Sequence, residues 1–132
     1  MHSCELELRT TRRNEMVDVT TQVADAVQRL GVQYGVVMVQ SPHTTAGVTI
    51  NEGADPDVCS DILGFLGEAV PRRAEYRHAE GNSDAHIKTT LVGTTTLIPV
   101  AEGHVALGRW QRIFFCEFDG PRARRVFVRA LV

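Results

Sequence analysis

The sequence predicts an α+β domain with a mainly antiparallel sheet and helices packed on one face. Three observations carry this. Apolar and polar residues alternate with period two near both ends of the chain. Helical stripes with start and stop signals occupy the middle. The final third has turn signals at hairpin spacing instead of repeated strand–helix–strand crossovers.

The elements follow in order. Cys4, Leu6 and Leu8 share one face of residues 4–10, and Glu5, Glu7 and Arg9 the other, which predicts a half-buried strand. Residues 12–15 predict a turn and Met16 to Val19 a second short strand. Thr20 or Thr21 can cap a helix whose Val23, Val27 and Leu30 form a stripe, ended by Gly31. The valine-rich run 34–41 predicts a strand buried on both faces, and 46–51 another strand. Asp55-Pro56-Asp57 is a helix start, because Asp55 can accept N–H bonds and Pro56 suits the first helical position. Val58, Ile62, Phe65, Leu66 and Ala69 then make an apolar stripe. Pro71 ends it. Residues 72–82 are polar and loop-like, and Asn82 or Ser83 can cap a short helix ended by Gly93. Strands follow at 96–100, where Pro99 argues for an edge or bulge, at 104–107, at 110–118 after a bulge at Gly108, and at 126–131 after the turn Asp119-Gly120-Pro121.

The totals bound the function. The 132 residues are the size of one domain, 1–132, able to bury a core without staples. A net charge of −2 argues against a general attraction to nucleic acid or anionic membrane. No apolar run reaches the ~20 residues that span a bilayer. The polar start MHSCELELRT predicts no signal peptide, so a cytoplasmic location is expected. Cys4, Cys59 and Cys116 are widely spaced and odd in number, which predicts buried thiols and neither a disulfide framework nor a cysteine zinc site. Lys88 is the only lysine beside thirteen arginines. Codon bias is the plain explanation, and a lysine that survives it hints at a role for a compact ammonium.

Chemistry-bearing residues concentrate in two segments, 41–55 and 76–88. His43 lies in Ser41-Pro42-His43-Thr44-Thr45-Ala46-Gly47, a hydroxyl-rich kink between two apolar strands. Such a loop suits functional side chains on a rigid base, although threonines bonding a turn explain it equally. His78 and His86 bracket the densest polar run of the chain, which includes Glu80, Asn82, Asp84 and Lys88. A helix starting near Ser83 would aim free N–H groups at an anion, and Lys88 could add charge. The H-x7-H spacing matches no compact metal motif, so a metal would need His43, His78 and His86 to converge through the fold. A solvated loop capping a helix is the alternative. On strand 110–118, Gln111, Ile113, Phe115 and Glu117 share one face, and Trp110, Arg112, Phe114, Cys116 and Phe118 the other. Glu117 among aromatics is unusual, because a buried carboxylate needs partners. Arg122, Arg124 and Arg125 read as a solvated strand end.

These segments, Ser41–Ala46, Asn51–Val58, Tyr76–Lys88 and Trp110–Arg122, together resemble the YjbQ-like family, also described as secondary thiamine-phosphate synthase enzymes, in the same order over nearly the whole chain. The resemblance implies an antiparallel sheet curved into a half-barrel, a homotrimer, and a polar histidine-lined cleft with a divalent metal, zinc or magnesium, as candidate cofactor. By motif, His43, Thr44 and Thr45 match HTTA. Glu52 and Asp55 match NE-x-x-DP. His78, Glu80, Asn82, Asp84, His86 and Lys88 match RHAEGN-x-DAHIK. Trp110, Gln111 and Glu117 match WQ-x-I-FFCEFDGPR. Arg109 departs from the small residue or threonine usual before Trp-Gln.

The resulting expectation is a small enzyme acting on a phosphorylated small molecule. Its catalytic candidates are His43, His78, Glu80, His86 and Glu117, with the three imidazoles as metal ligands. Its ligand-binding candidates are Thr44, Thr45, Glu52, Asn82, Asp84, Lys88, Trp110 and Gln111. The implied reaction joins a pyrimidine pyrophosphate to a thiazole phosphate and releases pyrophosphate. The alternative is a non-catalytic oligomeric module that binds a metabolite or anion.

Overall fold

The computed structural model describes residues 2–131. Eight strands and three helices follow in the order β1 (Ser3–Arg9), β2 (Glu15–Asp18), α1 (Thr20–Leu30), β3 (Gly35–Gln40), β4 (Ala46–Glu52), α2 (Pro56–Ala69), α3 (Ser83–Val92), β5 (Thr95–Ala101), β6 (His104–Val105), β7 (Gln111–Glu117) and β8 (Ala123–Leu131). They form a curled five-stranded sheet, β1-β8-β3-β5-β6, and a three-stranded sheet, β2-β7-β4. All pairings are antiparallel, so the α+β half-barrel expectation holds.

Period two explains how the sheets meet. Cys4, Val37, Val39, Ile98, Val100, Val126 and Val128 project from the large sheet into one core, where they meet Ile113 and Phe115 of β7 and Val23, Ala26 and Val27 of α1. The opposite face of β7 carries Phe114 and Cys116, which with Phe118 and Ala85 build a second cluster against Cys59, Leu63 and Leu66 of α2. Strand β7 is therefore buried on both faces, as its doubly apolar sequence requires.

Local signals fix most boundaries. Gly31 ends α1 with φ 71°, a left-handed conformation that glycine adopts without penalty. Thr20 does not cap α1 with its side chain; Asp18 Oδ1 instead accepts from its N–H at 3.0 Å. Asp55 caps α2 by accepting from the Asp57 N–H, with Pro56 at the first position. Gly108 belongs to a turn and not to a bulge: its carbonyl accepts from the Gln111 N–H, and Gln111 Oε1 accepts from the Gly108 N–H. The apolar stripe on α2 is also offset. Cys59, Leu63 and Leu66 face the second cluster, whereas Phe65 is 70% exposed.

Segment 41–45 carries the chain from the large sheet to the small one. Ser41 Oγ donates to the Ala46 carbonyl at 2.7 Å and accepts from the His43 N–H at 3.2 Å, which pins the kink. Gly47 then passes so close to α3 that a Cβ there would lie 2.3 Å from the Gly93 carbonyl oxygen. Backbone cannot swing away as a flexible side chain can. Gly47→Ala is expected to lower stability by about 1–3 kcal/mol in urea denaturation, and an unchanged midpoint would contradict this close approach.

Candidate functional site

His43 sits where two concave limbs meet. One limb, of about 550 Å³, is lined by Glu7, Arg9, His43, Arg124 and Arg125. The other, of about 600 Å³, runs along α3 and the segment before β5, lined by His43, Thr44, His86, Thr89, Thr90 and Thr94. The fold thus brings together two imidazoles remote in sequence. His86, Thr89 and Thr90 reach the groove because positions three and four apart share a helix face. The buried Thr89 Oγ1 has no hydrogen-bond partner among the described residues.

The His43 ring is held edge-on to Phe115, with centroids 6.3 Å apart. The Arg125 backbone N–H donates to its Nε2 at 3.0 Å. Accepting there leaves the ring proton on Nδ1, so neutral His43 is a donor at its other nitrogen. Burial pushes its pKa below the usual histidine value, and the positive charges of Arg124 and Arg125 push the same way. The ring is therefore neutral at pH 7.

Behind the kink lies a buried ion pair. Glu117 is fully buried and pairs with Arg124, whose Nε donates to Glu117 Oε1 at 2.8 Å. Arg124 Nη2 also donates to Thr45 Oγ1 at 2.9 Å, and Thr10 Oγ1 donates to Glu117 Oε1 at 2.7 Å. Burial alone would raise the Glu117 pKa, but the Arg124 bond and the N–H of Asp119 hold it below the usual range. Glu117 thus lies behind the site as a satisfied anion. Arg124 is not part of a solvated strand end; its inward position on β8 is shared with Val126 and Val128.

A second buried network takes up much of 82–88. Lys88 is 3% exposed, and its Nζ donates to Asp84 Oδ2 at 2.9 Å, while Arg13 donates to Asp84 Oδ1 at 3.0 Å. Arg13 also reaches Asp119 at 3.1 Å, and Asn82 Nδ2 donates to Asp119 at 2.9 Å. Burial would raise the Asp84 pKa, yet Lys88 and then Arg13 bring it below its ordinary value. The lone lysine is therefore committed to a carboxylate and adds no free charge at the helix start. Asn82 likewise faces Asp119 and makes no side-chain cap.

The remaining candidates scatter. His78 and His86 meet edge to face with centroids 5.4 Å apart, and His78 Nε2 lies 3.9 Å from exposed Glu80. The expected three-histidine metal centre is not assembled. Nε2 of His43 is engaged by Arg125, and among the described residues no group of three His, Cys, Asp or Glu side chains is placed to hold an ion. Glu52, Trp110 and Gln111 sit at the far end of the β4–β7 ladder, six residue steps from the Ala46–Glu117 pair, or roughly 20 Å. There Glu52 accepts from the N–H groups of Ala54 and Asp55. Trp110 is 54% exposed beneath the Arg109 guanidinium, so the departure at Arg109 touches this remote end and not the His43 groove.

Arg9, Arg125, Thr89, Thr90 and Thr94 were not expected at the site. Only the pairing of β1 with β8, which sets Arg9 opposite Ala123 and Glu7 opposite Arg125, places the arginines there. No helix among the described residues is long and apolar enough to cross a membrane.

Comparison with known proteins agrees with this architecture. The family model described as UPF0047 protein YjbQ-like matches residues 4–132. A UPF0047 protein of Methanocaldococcus jannaschii is 46% identical over 125 residues, covering 95% of this chain and 91% of that one. The UPF0047 protein YugU of Bacillus subtilis is 46% identical over 127 residues, 96% of each. The crystal structure of a YjbQ/UPF0047 family protein from Clostridium acetobutylicum superposes with a TM-score of 0.95 at 48% identity, covering 97% of this chain and 99% of that one. With the whole fold and nearly the whole sequence shared, the chain belongs to the YjbQ-like UPF0047 family.

Proposed function

We propose that the chain binds and transforms a phosphorylated small molecule in the groove centred on His43, with thiamine-phosphate synthase chemistry as the reaction to test first. One observation carries this reading: His43 joins a limb bearing Arg9 and Arg125 to a limb bearing His86 and four threonines. Guanidinium groups match phosphate oxygens in geometry and charge. Hydroxyls and the Nδ1–H of neutral His43 supply further donors. Departure of pyrophosphate leaves negative charge that such donors stabilise. His86, half-buried and with no backbone N–H fixed to its ring in the way His43 has, is the better proton carrier of the two. Glu117 and Arg124 act from behind by fixing Thr45.

The engagement of His43 Nε2 also favours the second reading, a binding module without turnover, since that nitrogen is unavailable as a base. Pyrophosphate release from a pyrimidine pyrophosphate and a thiazole phosphate separates the two. The enzyme reading expects turnover that falls by about 10²-fold or more in His86→Ala with the fold retained by circular dichroism. Turnover equal in wild type and His86→Ala contradicts it. Stabilisation by inorganic pyrophosphate without any turnover selects the binding module.

A further inference from the structure

The groove has more room than a phosphoryl group fills. Each limb, of about 550 and 600 Å³, is of the size that takes a whole small-molecule ligand. Inorganic phosphate or pyrophosphate therefore accounts for one limb only.

The two limbs differ in chemistry. The first carries the exposed guanidiniums of Arg9 and Arg125, while Arg124 is committed to Glu117. Arg125 also reaches Glu5 at 3.1 Å, and Glu7 stands on the same wall. Arg9 makes no ion pair among the described residues, so its guanidinium is open to an anion. The second limb has no Asp, Glu, Lys or Arg among the described residues that line it. Its polar groups include the Gln40 amide and the hydroxyls of Thr44, Thr89, Thr90 and Thr94.

One of these hydroxyls shows what belongs there. Thr89 is 3% exposed, yet its Oγ1 has no hydrogen-bond partner among the described residues. A buried hydroxyl left unmatched is costly, and native folds rarely keep one. Thr90 Oγ1 donates to the His86 carbonyl at 3.0 Å, which leaves that oxygen able to accept. A second phosphoryl group would meet no guanidinium or ammonium in this limb, and an apolar group would leave Thr89 unmatched. Hydroxyls on a neutral ligand both donate and accept, so they suit every group on the wall. His43 borders both limbs and donates from Nδ1 at their junction.

We propose that the His43 groove holds a polyhydroxylated phosphate monoester, the class to which sugar phosphates belong. Its phosphoryl group lies in the arginine limb and its hydroxyls face the threonine limb, where Thr89 selects for them. This rests on the reading of the groove as a phosphate-recognising site, which it deepens by naming the ester.

The test compares two monoesters with the same charged group, methyl phosphate and ribose 5-phosphate, by titration calorimetry on the full chain. Wild type is expected to bind ribose 5-phosphate ~10-fold or more tightly than methyl phosphate. That ratio is expected to fall by about 5-fold in Thr89→Val, the loss of one hydrogen bond. Thr94→Val, at a half-buried position of the same limb, is expected to lower the ratio in the same direction. Arg9→Gln is expected to weaken both esters alike, so that the ratio holds. Thr89→Val is also expected to keep the wild-type urea midpoint, because the hydroxyl it removes makes no bond within the fold. Equal affinities of wild type for the two esters, or a ratio untouched by both threonine variants, would overturn the proposal while the phosphate reading stands. Tighter binding of the thiazole phosphate than of ribose 5-phosphate would overturn it too. A urea midpoint lowered by Thr89→Val would show that hydroxyl to be engaged within the fold and would remove its selecting role. Failure of wild type to bind either ester or inorganic pyrophosphate overturns the phosphate reading and the proposal with it.

Discussion

Arg124→Met is expected to destabilise the protein by ~3–5 kcal/mol, because it leaves the Glu117 carboxylate buried without its cation. Glu117 is fully enclosed, and Arg124 is 3% exposed. Thr10 and two backbone N–H groups would still donate to Glu117, but none carries charge. The double variant Arg124→Met/Glu117→Met removes both charges and is expected to be more stable than Arg124→Met alone. Urea denaturation of the three proteins checks this, and a double variant with additive losses would contradict it. Arg124 also holds Thr45. Its loss should therefore weaken pyrophosphate binding even below the unfolding transition.

The second large effect belongs to Asp84→Ala, also expected at ~3–5 kcal/mol. That substitution strands the Lys88 ammonium in the interior and frees one arm of Arg13. Lys88→Met is expected to cost less, since Arg13 still faces Asp84 and the methionine fills the lysine's space. Lys88→Arg should be worse than Lys88→Met, because the planar guanidinium needs room that a helix i,i+4 pair inside the protein does not give. A larger loss for Lys88→Met than for Asp84→Ala would show that Arg13 does not share the pair.

Both carboxylates also predict the acid limb of stability. Their folded pKa values lie below the ordinary values of 3.8 for Asp84 and 4.5 for Glu117. The unfolded chain therefore takes up protons first as pH falls. Stability is fully present above those ordinary values and is lost as pH drops through the lower folded ones. His43 shifts in the same sense: its folded value is depressed below 6.5, so its contribution begins to fade below about that pH. Denaturation midpoints at pH 7, 5.5 and 3.5 should decline in that order, with the steepest loss in the last interval. A flat profile to pH 3.5 would contradict the two ion pairs.

The fold was largely legible because alternation and punctuation state local facts. Asp55-Pro56 set the start of α2, Gly31 the end of α1, and the doubly apolar β7 its place between two cores. The site was legible in part. His43 and His86 announced themselves by the polar, hydroxyl- and charge-rich segments around them, and Glu117 by its position among aromatics. Their partners did not, because pairing is set by strand register, which joins residues more than a hundred positions apart. Arg124 could have been found by extending the β8 alternation back from Val126 and Val128, which places it on the inward face. Lys88 was noticed for being the sole lysine, yet only packing shows that its compact charge serves Asp84. The three rings named as metal ligands do not converge among the described residues, because the fold turns His43 onto the Arg125 backbone.

The groove itself is open to one direct measurement. With histidine side chains labelled for NMR, titration with inorganic pyrophosphate should move the ring signals of His43 and His86 along one shared saturation curve. The ring of His104, exposed on β6, should stay still. Signals of His43 and His86 that do not move, or that move with unrelated affinities, would contradict a single phosphate-recognising site.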